Sequence, residues 1–371
     1  MQVTSAGKSD ESLPKLIQFG KYAWPKTEAQ QTLVHLVEKI KLGISFGSQE
    51  DAIDADTLKA VSDNAFEIAI REQLCAKLLA ALDQEYCTWA KTETNKRSQR
   101  IFIHPPMEID ILTEWATRQD LPVVSSIPRF SEVAAAPCIV VPKLERFLSR
   151  RQDRMPELFD LLSKLACYQG RILVGCNSWA MRFLEQFEDI RLLLGPGQVF
   201  PAFGADALAD ILEAAVGDSV TLMSVSSGDS VFKRDDEGAL CDPFLQELAD
   251  SSLGHPWVAI EMLFQGLAEA TDEDRATTDK RSWVQLPSAC SLPNTGRDAI
   301  LFALHSLLIH GSRKIEDFDG LVPMRLPKGI WAELDRNGFV DLKDGYVSCA
   351  IRNYPDIRRE LSAAGFNLDR L

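Results

Sequence analysis

Residues 100–177 alternate short apolar runs with helical stretches, and this alternation constrains the fold more than any other feature of the sequence. The runs lack the apolar-polar alternation of a half-buried strand: RIFIHPP (100–106), LPVVSSIP (121–128), PCIVVP (137–142) and RILVGCN (171–177). Helical patterns such as PELFDLLSKLACYQG (156–170) separate them. Strands without alternation are buried on both faces, and helical crossovers make them parallel. The pattern predicts an α/β fold with a parallel core sheet.

Helical spacing dominates the residues before these runs. Apolar side chains recur at that spacing in two segments, 27–42 and 63–91. We therefore predict a helical N-terminal region over residues 1–98, followed by the α/β core over residues 99–195.

A second set of helices follows the core. The pattern indicates, in order, a Gly/Pro turn with a helix (192–217), a hairpin around Ser-Gly-Asp (220–234), two helices broken at residues 253–256 (242–270) and a polar linker (271–282). These elements make residues 196–282 a helical lid with an inserted hairpin.

The last quarter of the chain has its own pattern. Three helices are predicted over 297–309, near 315–321 and over 327–338, before a β-hairpin at 339–350. Three helices followed by a hairpin are typical of a winged helix, a variant of helix-turn-helix. We predict a winged-helix domain over residues 283–371.

Charge and apolar content restrict the classes of function. The net charge of −14 at pH 7 opposes non-specific attraction to nucleic-acid phosphates. No run of about 18 apolar residues occurs, so we expect no membrane span and a cytoplasmic location. The cysteines lack CxxC pairs and zinc spacing, and we interpret them as reduced core residues: Cys75, Cys87, Cys138, Cys167, Cys176, Cys241, Cys290 and Cys349.

Phosphate-binding chemistry is missing where it would be expected. A phosphate-binding loop requires glycines, a lysine and backbone N–H groups between a strand and a helix. The GKS motif at residues 7–9 lies in a polar tail with no preceding strand, and we interpret it as a chance match. After the first strand, HPPM (104–107) replaces the glycines and lysine. Its two prolines remove two amide donors, so a Walker A grip is not expected.

The third apolar run ends in Pro142 and Lys143, where a P-loop enzyme has an aspartate for magnesium. Glu145 follows two residues later, either as a carboxylate at the sheet edge or in an ion pair with a neighbouring arginine. The basic residues at this exit are better suited to an acidic partner surface than to a metal: Lys143, Arg146, Arg150 and Arg151.

The fourth run ends in GCNS (175–178), and the order, spacing and ends of the runs resemble the Rossmann-like core of AAA+ ATPases. FPAFGADALADIL (200–212) and FLQELADSSLGHPWVAIEML (244–263) are similar to the lid of AAA+ and the related STAND proteins. The resemblance covers residues 100–371. It implies a nucleotide-sensing role for Asn177, with Glu145 as a second candidate. Hydrogen bonding of Asn177 to neighbouring loops is the structural alternative.

The departures from the family imply a degenerate member. Without a Walker A lysine or a Walker B carboxylate, the resemblance implies a pseudo-ATPase. Three arginines are either remnants of sensor or finger arginines or solvated helix positions: Arg171, Arg182 and Arg191. HExxH and GxGxxG motifs do not occur.

The recognition helix of the predicted winged helix carries mixed charge. Lys328 and Arg336 offer base or phosphate contacts, but Glu333 and Asp335 lie beside them. Over residues 296–371, eleven basic residues meet eleven acidic ones. DNA contact stays open through these two residues and the cluster of Arg352, Arg358 and Arg359.

We therefore expect a non-catalytic AAA+/STAND-like scaffold or regulatory subunit that binds protein partners in a larger complex. We expect no cofactor and no metal site. Two alternatives stay open: a winged-helix DNA-binding regulator, and an ATPase completed by a partner's residues, for which ATP would be the cofactor.

Overall fold

The structure is a computed structural model that describes residues 13–25, 58–60, 64–92, 97–106, 110–149, 155–187, 190, 193–216, 220–270, 281–293, 296–318, 320–322 and 325–371. Several parts of the sequence interpreted above lie outside these ranges: the GKS motif (7–9), the helical segment 27–42, Met107, Arg150, Arg151, Arg191 and residues 271–280 of the linker.

The strands of the described residues are, in chain order, β1 (Ile17–Gln18), β2 (Leu58–Ala60), β3 (Ser98–His104), β4 (Cys138–Val141), β5 (Arg171–Asn177), β6 (Gly197–Val199), β7 (Thr221–Ser224), β8 (Leu267–Ala270), β9 (Arg281–Val284), β10 (Arg313–Lys314), β11 (Val340–Lys343) and β12 (Tyr346–Cys349).

The helices that lie wholly within the described residues are α1 (Asn64–Leu82), α2 (Ile111–Arg118), α3 (Ile127–Val133), α4 (Pro156–Cys167), α5 (Ser178–Leu184), α6 (Ala205–Val216), α7 (Phe244–Ser251), α8 (Pro256–Gln265), α9 (Arg297–His310), α10 (Ile315–Phe318), α11 (Ile330–Arg336) and α12 (Tyr354–Ala363). Helix α1 continues through a π-helical turn (Asp83–Cys87) into one more helical turn (Thr88–Lys91). A 3-10 turn at Leu144–Phe147 follows β4.

The chain folds into two compact units. Among the described residues, the first unit contains those of segments 1–22, 77–201 and 290–371. The second contains those of segments 23–76 and 202–289. We refer to residues 290–371, which belong to the first unit, as the C-terminal region.

The central sheet of the first unit has the strand order β1-β6-β3-β5-β4. Strands β6, β3, β5 and β4 are parallel, and β1 pairs with β6 in the antiparallel direction. Strands β4 and β5 are buried along their whole length, as expected of strands covered on both faces. The predicted α/β fold class with a parallel core sheet is confirmed.

Helix α4 illustrates how the sequence builds the layers beside this sheet. Pro156 occupies its first turn, where a missing N–H costs nothing. Leu158, Leu161, Leu162 and Leu165 are buried at helical spacing on one face. Each buried leucine contributes about 1.5–3 kcal/mol relative to an exposed one.

The second unit contains a sheet of order β2-β8-β9-β7, in which β7 and β9 are parallel and the other neighbours antiparallel. Helices α7 and α8 flank the break predicted at residues 253–256. Leu253 and Gly254 have positive φ there, and Pro256 begins α8. The two predicted helices and the break between them are confirmed.

The C-terminal region has its elements in the predicted order. Helices α9, α10 and α11 precede the hairpin of β11 and β12, and α12 follows it. The short β10 completes an antiparallel sheet of order β10-β12-β11. Asp344 and Gly345 both have positive φ at the hairpin turn, the conformation that a two-residue type I′ turn requires.

In the first unit, one predicted strand does not form and one strand forms where none was predicted. In the segment 121–128 only Val123 pairs, through a single parallel bridge to Val140. Ser126 then caps α3, because its hydroxyl accepts a hydrogen bond from Arg129 N. Conversely, Gly197–Val199 forms β6 where a turn was predicted. Parallel pairing with β3 stabilises this strand, and its partner is distant in sequence.

Other local predictions also need correction. The N-terminal region is not wholly helical, since β1 and β2 pair with strands from later in the chain. Strand β8 occupies the predicted end of a helix, and β9 begins within the predicted linker. The second limb of the hairpin at 220–234 is reduced to a bridge between Met223 and Ser230. Cys167 and Cys241 are exposed rather than core residues.

Candidate functional site at the ends of β3 and β5

The connections that follow the neighbouring strands β3 and β5 lead to opposite sides of the sheet. After β3 the chain passes to Val123 at the far edge, and after β5 it passes to β6 on the other side of β3. In open α/β sheets, ligands bind outside the carboxyl ends of the strands at such a switch point. His104 and Asn177 are paired in register at these ends. Together with Glu145 we call them the strand-end cluster.

The exit of β3 is built from a histidine and prolines. His104 Nδ1 lies 2.8 Å from the carbonyl oxygen of Pro105, and His104 Nε2 lies 3.7 Å from Glu145 Oε1. The second contact is an ion pair only when both ring nitrogens carry a proton. Neither Pro105 nor Pro106 has an N–H to offer a phosphate, and the contacts of the His104 ring are with its own chain.

The exit of β4 is closed by packing and charge pairing. A Cβ on Gly175 would lie 2.1 Å from the carbonyl oxygen of Pro142, so this proline lies directly against β5. Lys143 Nζ lies 3.6 Å from Asp110 Oδ2. Asp110 also caps α2 by accepting a hydrogen bond from Thr113 N at 3.1 Å. Lys143 is therefore paired with a carboxylate of its own chain.

Glu145 turns its carboxylate into the sheet edge from the 3-10 turn, and only 4% of the residue is exposed. Its Oε2 accepts a hydrogen bond from Asn177 N at 3.2 Å. Its backbone carbonyl accepts one from Arg313 at 3.0 Å. Burial lowers the pKa of Arg313, and the nearby charge of Glu145 partly offsets this lowering. The contacts of Glu145 thus run to β5, to His104 and to the C-terminal region, whereas Arg146 is exposed.

Both polar atoms of the Asn177 side chain make hydrogen bonds within the chain, and the residue is 1% exposed. Its Oδ1 accepts a hydrogen bond from Ala180 N at 2.6 Å and so caps α5. Its Nδ2 donates to the carbonyl oxygen of Ile309 at 3.0 Å. One amide therefore joins the end of β5, the start of α5 and the end of α9.

A buried polar cluster continues this contact on the next residues. Ser178 Oγ donates to Asp369 Oδ2 at 2.5 Å, and Trp179 Nε1 donates to the hydroxyl of Tyr354 at 3.1 Å. Asp369 also accepts from Tyr354 at 3.1 Å and lies 3.4 Å from Arg358. Burial raises the pKa of Asp369, while Arg358, Ser178 and Tyr354 lower it in part. The cluster binds the C-terminal region to α5.

The candidate DNA or partner contacts do not form one surface of unopposed charge. Lys328 and Arg336 are exposed on and before α11. Arg358 is buried against Asp369, with 13% of its side chain exposed. The remaining two lie in ion pairs with carboxylates of the same region: Arg352 with Asp341 at 3.6 Å and Arg359 with Asp356 at 2.8 Å.

The arginines considered as remnants of sensor or finger residues are engaged elsewhere. Arg171 is buried and donates to the carbonyl oxygen of Thr92. Arg182 pairs with Glu185 at 3.2 Å on α5. Within the described ranges, neither is part of the strand-end cluster.

Among the residues that the structure describes, no group of three or more His, Cys, Asp or Glu residues is arranged to hold a metal ion. No described helix has the length and apolar content to cross a membrane.

Comparison with known proteins gives only distant likenesses. No family model and no curated protein matches the sequence. The crystal structure of Cdc6p from Pyrobaculum aerophilum aligns with a TM-score of 0.29 and 12% identity, over 82% of this chain and 100% of that one. The Aeropyrum pernix ORC2 protein, as its ADPNP-ADP complexes, aligns with a TM-score of 0.28 and 12% identity, over 93% and 96%. Values this low carry no argument about function.

Sequence reasoning identified Glu145 and Asn177 but missed their partners. His104 stood at a recognised strand end, yet it was considered only as a replacement for a glycine. Arg313 and Asp369 gave no local signal, because a charged residue beside a turn or near a chain end is ordinarily solvated. Their roles depend on which distant strand end they contact.

Proposed function

We propose that this chain is a non-catalytic AAA+/STAND-like scaffold or regulatory subunit whose C-terminal region is a winged helix used for protein contacts. The order of the sheet and its switch point support the AAA+ part of this proposal. The helices and hairpin of the C-terminal region support the winged-helix part. Protein partners in a larger complex, rather than a resident cofactor, would then determine what the chain does.

One observation carries the proposal: Glu145 and Asn177 of the strand-end cluster make their hydrogen bonds to other groups of this chain. Glu145 accepts from Asn177 N and Arg313, while Asn177 donates to Ile309. A nucleotide-sensing asparagine must turn its amide to a phosphate, and a catalytic glutamate must turn its carboxylate to a water. Here the Asn177 amide donates to the C-terminal region and the Glu145 carboxylate accepts from Asn177 N, so neither group is turned to a phosphate or a water.

ATP hydrolysis by the purified chain tests the proposal. We expect no turnover above a buffer blank, with or without magnesium. Turnover that disappears in both Glu145→Gln and Asn177→Ala but persists in Asn337→Ala would overturn it. Asn337 is a suitable control because its amide makes one exposed hydrogen bond, to the carbonyl oxygen of Glu333.

A thermal-shift measurement separates this proposal from an ATPase completed by a partner. A nucleotide that binds the folded chain raises the midpoint temperature of unfolding by mass action. At a concentration a hundred times Kd, it adds about 2.7 kcal/mol to the free energy of unfolding. We expect no change with ATP and magnesium. A midpoint that rises with ATP concentration would favour the alternative even without turnover.

A DNA-binding regulator is the second candidate function. The exposure of Lys328 just before α11 and of Arg336 at its last position is the observation that favours it. The paired state of Arg352, Arg358 and Arg359 weakens it, since each already meets a carboxylate.

A further inference from the structure

The end of helix α11 carries the only Asn-Gly pair of the sequence, Asn337 and Gly338. An asparagine that precedes glycine is chemically reactive, because glycine has no side chain to shield its backbone nitrogen from the neighbouring side-chain amide. Asn337 is exposed and Gly338 is half-buried. The pair is therefore in contact with water, and the conformation of the turn decides whether it reacts.

The turn after α11 requires glycine at position 338. Gly338 has a φ of 74°, in the left-handed region that favours glycine. Its N–H donates to the carbonyl oxygen of Asp335, and Phe339 N donates to that of Leu334, both at 2.9 Å. These two hydrogen bonds define a Schellman motif, which ends a helix on a left-handed glycine. The glycine that ends α11 thus also makes the preceding asparagine reactive.

The folded conformation keeps the two reacting groups apart. Deamidation begins when Gly338 N attacks the side-chain carbonyl carbon of Asn337, and this attack requires Gly338 N to eclipse the Cβ of Asn337. At the observed ψ of 4°, Gly338 N eclipses the backbone nitrogen of Asn337 instead. The side-chain amide is also held, since Asn337 Nδ2 donates to the carbonyl oxygen of Glu333 at 2.7 Å. Rotation into the reactive conformation breaks the hydrogen bond from Gly338 N to Asp335.

Two contacts from outside the helix hold this turn closed. Asn353 Nδ2 donates to the carbonyl oxygen of Gly338 at 2.7 Å, and Asn353 is 5% exposed. Leu342 N of β11 donates to Asp335 Oδ1 at 3.3 Å. Segments of a folded protein open locally at free energies below that of global unfolding. Removing either contact lowers the free energy that is needed to open the turn.

We propose that Asn337 is a site of spontaneous deamidation whose rate is set by local opening of the turn between α11 and β11. Gly338 N forms a bond to the side-chain carbonyl carbon of Asn337, and ammonia leaves with the proton of that nitrogen. Water then opens the resulting succinimide at either carbonyl, which leaves aspartate or isoaspartate at position 337. The reaction needs no catalyst, oxidant or partner, and it does not rest on the proposed function.

The products alter the C-terminal region in two ways. Either product places a carboxylate at the negative end of the α11 dipole, one turn after Glu333. Isoaspartate also lengthens the main chain by one carbon atom just before Gly338, while Phe339 is fully buried at the start of the next strand. The longer main chain no longer fits the hydrogen bonds of the Schellman motif. Deamidation therefore weakens the junction of α11 and β11.

Peptide mapping by mass spectrometry of the full chain, incubated in mildly alkaline buffer, tests the proposal. We expect deamidation at position 337 of the native chain at a rate at least ~10-fold below that of the urea-unfolded chain. Asn353→Ala and Asp335→Ala should each raise the native rate and leave the unfolded rate unchanged. Tyr86→Phe is the matched control, because it removes a part-buried hydrogen bond, to Gln198 at 3.1 Å, elsewhere in the first unit.

Any of three results would contradict the proposal. The first is an equal rate of deamidation at position 337 in the native and the unfolded chain. The second is an intact Asn337 in the native parent and both turn variants after prolonged incubation that converts the unfolded chain completely. The third is a native rate that neither turn variant raises above that of Tyr86→Phe. Asp335 is exposed, so its variant decides the matter if Asn353→Ala does not fold.

Discussion

Asn177 combines three structural functions that a nucleotide sensor would have to give up. Its backbone N–H donates to Glu145, its amide oxygen caps α5, and its amide nitrogen donates to Ile309. The residue is buried, so each group lost would leave a partner without water to replace it. At this scale, the residue type matches the AAA+ resemblance, but the contacts support a role in holding the C-terminal region.

Substitution of Asn177 by alanine should therefore reduce stability. Loss of the cap costs about 1 kcal/mol. The carbonyl of Ile309 left unsatisfied adds about 1–3 kcal/mol. The free energy of unfolding, measured by urea denaturation, should fall by about 2–4 kcal/mol for these two effects together. Asn337→Ala, which removes one exposed hydrogen bond, should change it by less than about 0.5 kcal/mol. Equal effects of the two substitutions would contradict the structural role.

The junction of β4 and β5 shows how the proline and lysine after β4 are fitted to the neighbouring strand. Pro142 leaves β4 with its carbonyl oxygen against Gly175, and Lys143 turns to Asp110. A side chain at position 175 has no space, because the nearest atom is main chain rather than a flexible side chain. The two strand ends are thus fitted to each other with no space for a larger residue at position 175.

Gly175→Ala should strongly destabilise the protein. The new methyl group would lie 2.1 Å from Pro142 O, so one of the strands must move. Overpacking of this kind costs about 3 kcal/mol or more when the main chain cannot yield. Gly204→Ala is the matched control, because its Cβ would meet nothing within 4 Å. Denaturant unfolding of both variants decides the matter, and a change at Gly175 as small as that at Gly204 would refute the prediction.

The cluster around Asp369 should make stability depend on pH. Its pKa is raised in the folded state, chiefly by burial. A group with a raised folded pKa contributes stability that is present below its unfolded pKa and lost as pH rises through the folded pKa. An asparagine does not titrate. The free energy of unfolding of Asp369→Asn, relative to the parent, should therefore increase as pH rises from about 4.

Urea denaturation of this variant at a series of pH values provides the measurement. Asp236→Asn, which alters an exposed carboxyl, controls for the substitution itself. A difference between Asp369→Asn and the parent that stays constant or falls with rising pH would show that burial does not dominate the titration of Asp369.

For the whole molecule, the dominant electrostatic feature is its negative charge. A net charge of −14 repels a phosphate backbone, and three of the five basic candidates in the C-terminal region already meet carboxylates. The summed charge of a protein determines whether its electric field attracts or repels a charged partner at long range. The net charge is therefore one reason why we propose protein contacts rather than DNA binding.

We expect no binding of a duplex oligonucleotide by fluorescence anisotropy at a salt concentration of about 0.15 M, where the Debye length is about 8 Å. Binding that appears only at low salt should weaken further in Lys328→Ala and Arg336→Ala. Tight duplex binding at physiological salt that is lost in these two variants would support the DNA-binding regulator instead.

The sequence by itself determined the α/β class, strands β3, β4 and β5, the broken helix pair α7–α8 and the order of elements in the C-terminal region. Those features follow from burial periodicity and turn residues, which act over a few positions along the chain. The tertiary structure alone decided strands β1, β2, β6, β8 and β9, whose hydrogen-bond partners are distant in sequence. It also decided that Ile309, Arg313 and Asp369 meet the ends of β4 and β5. Non-local contacts of this kind leave no periodic trace, so Asn177 could be found from the sequence while its role could not.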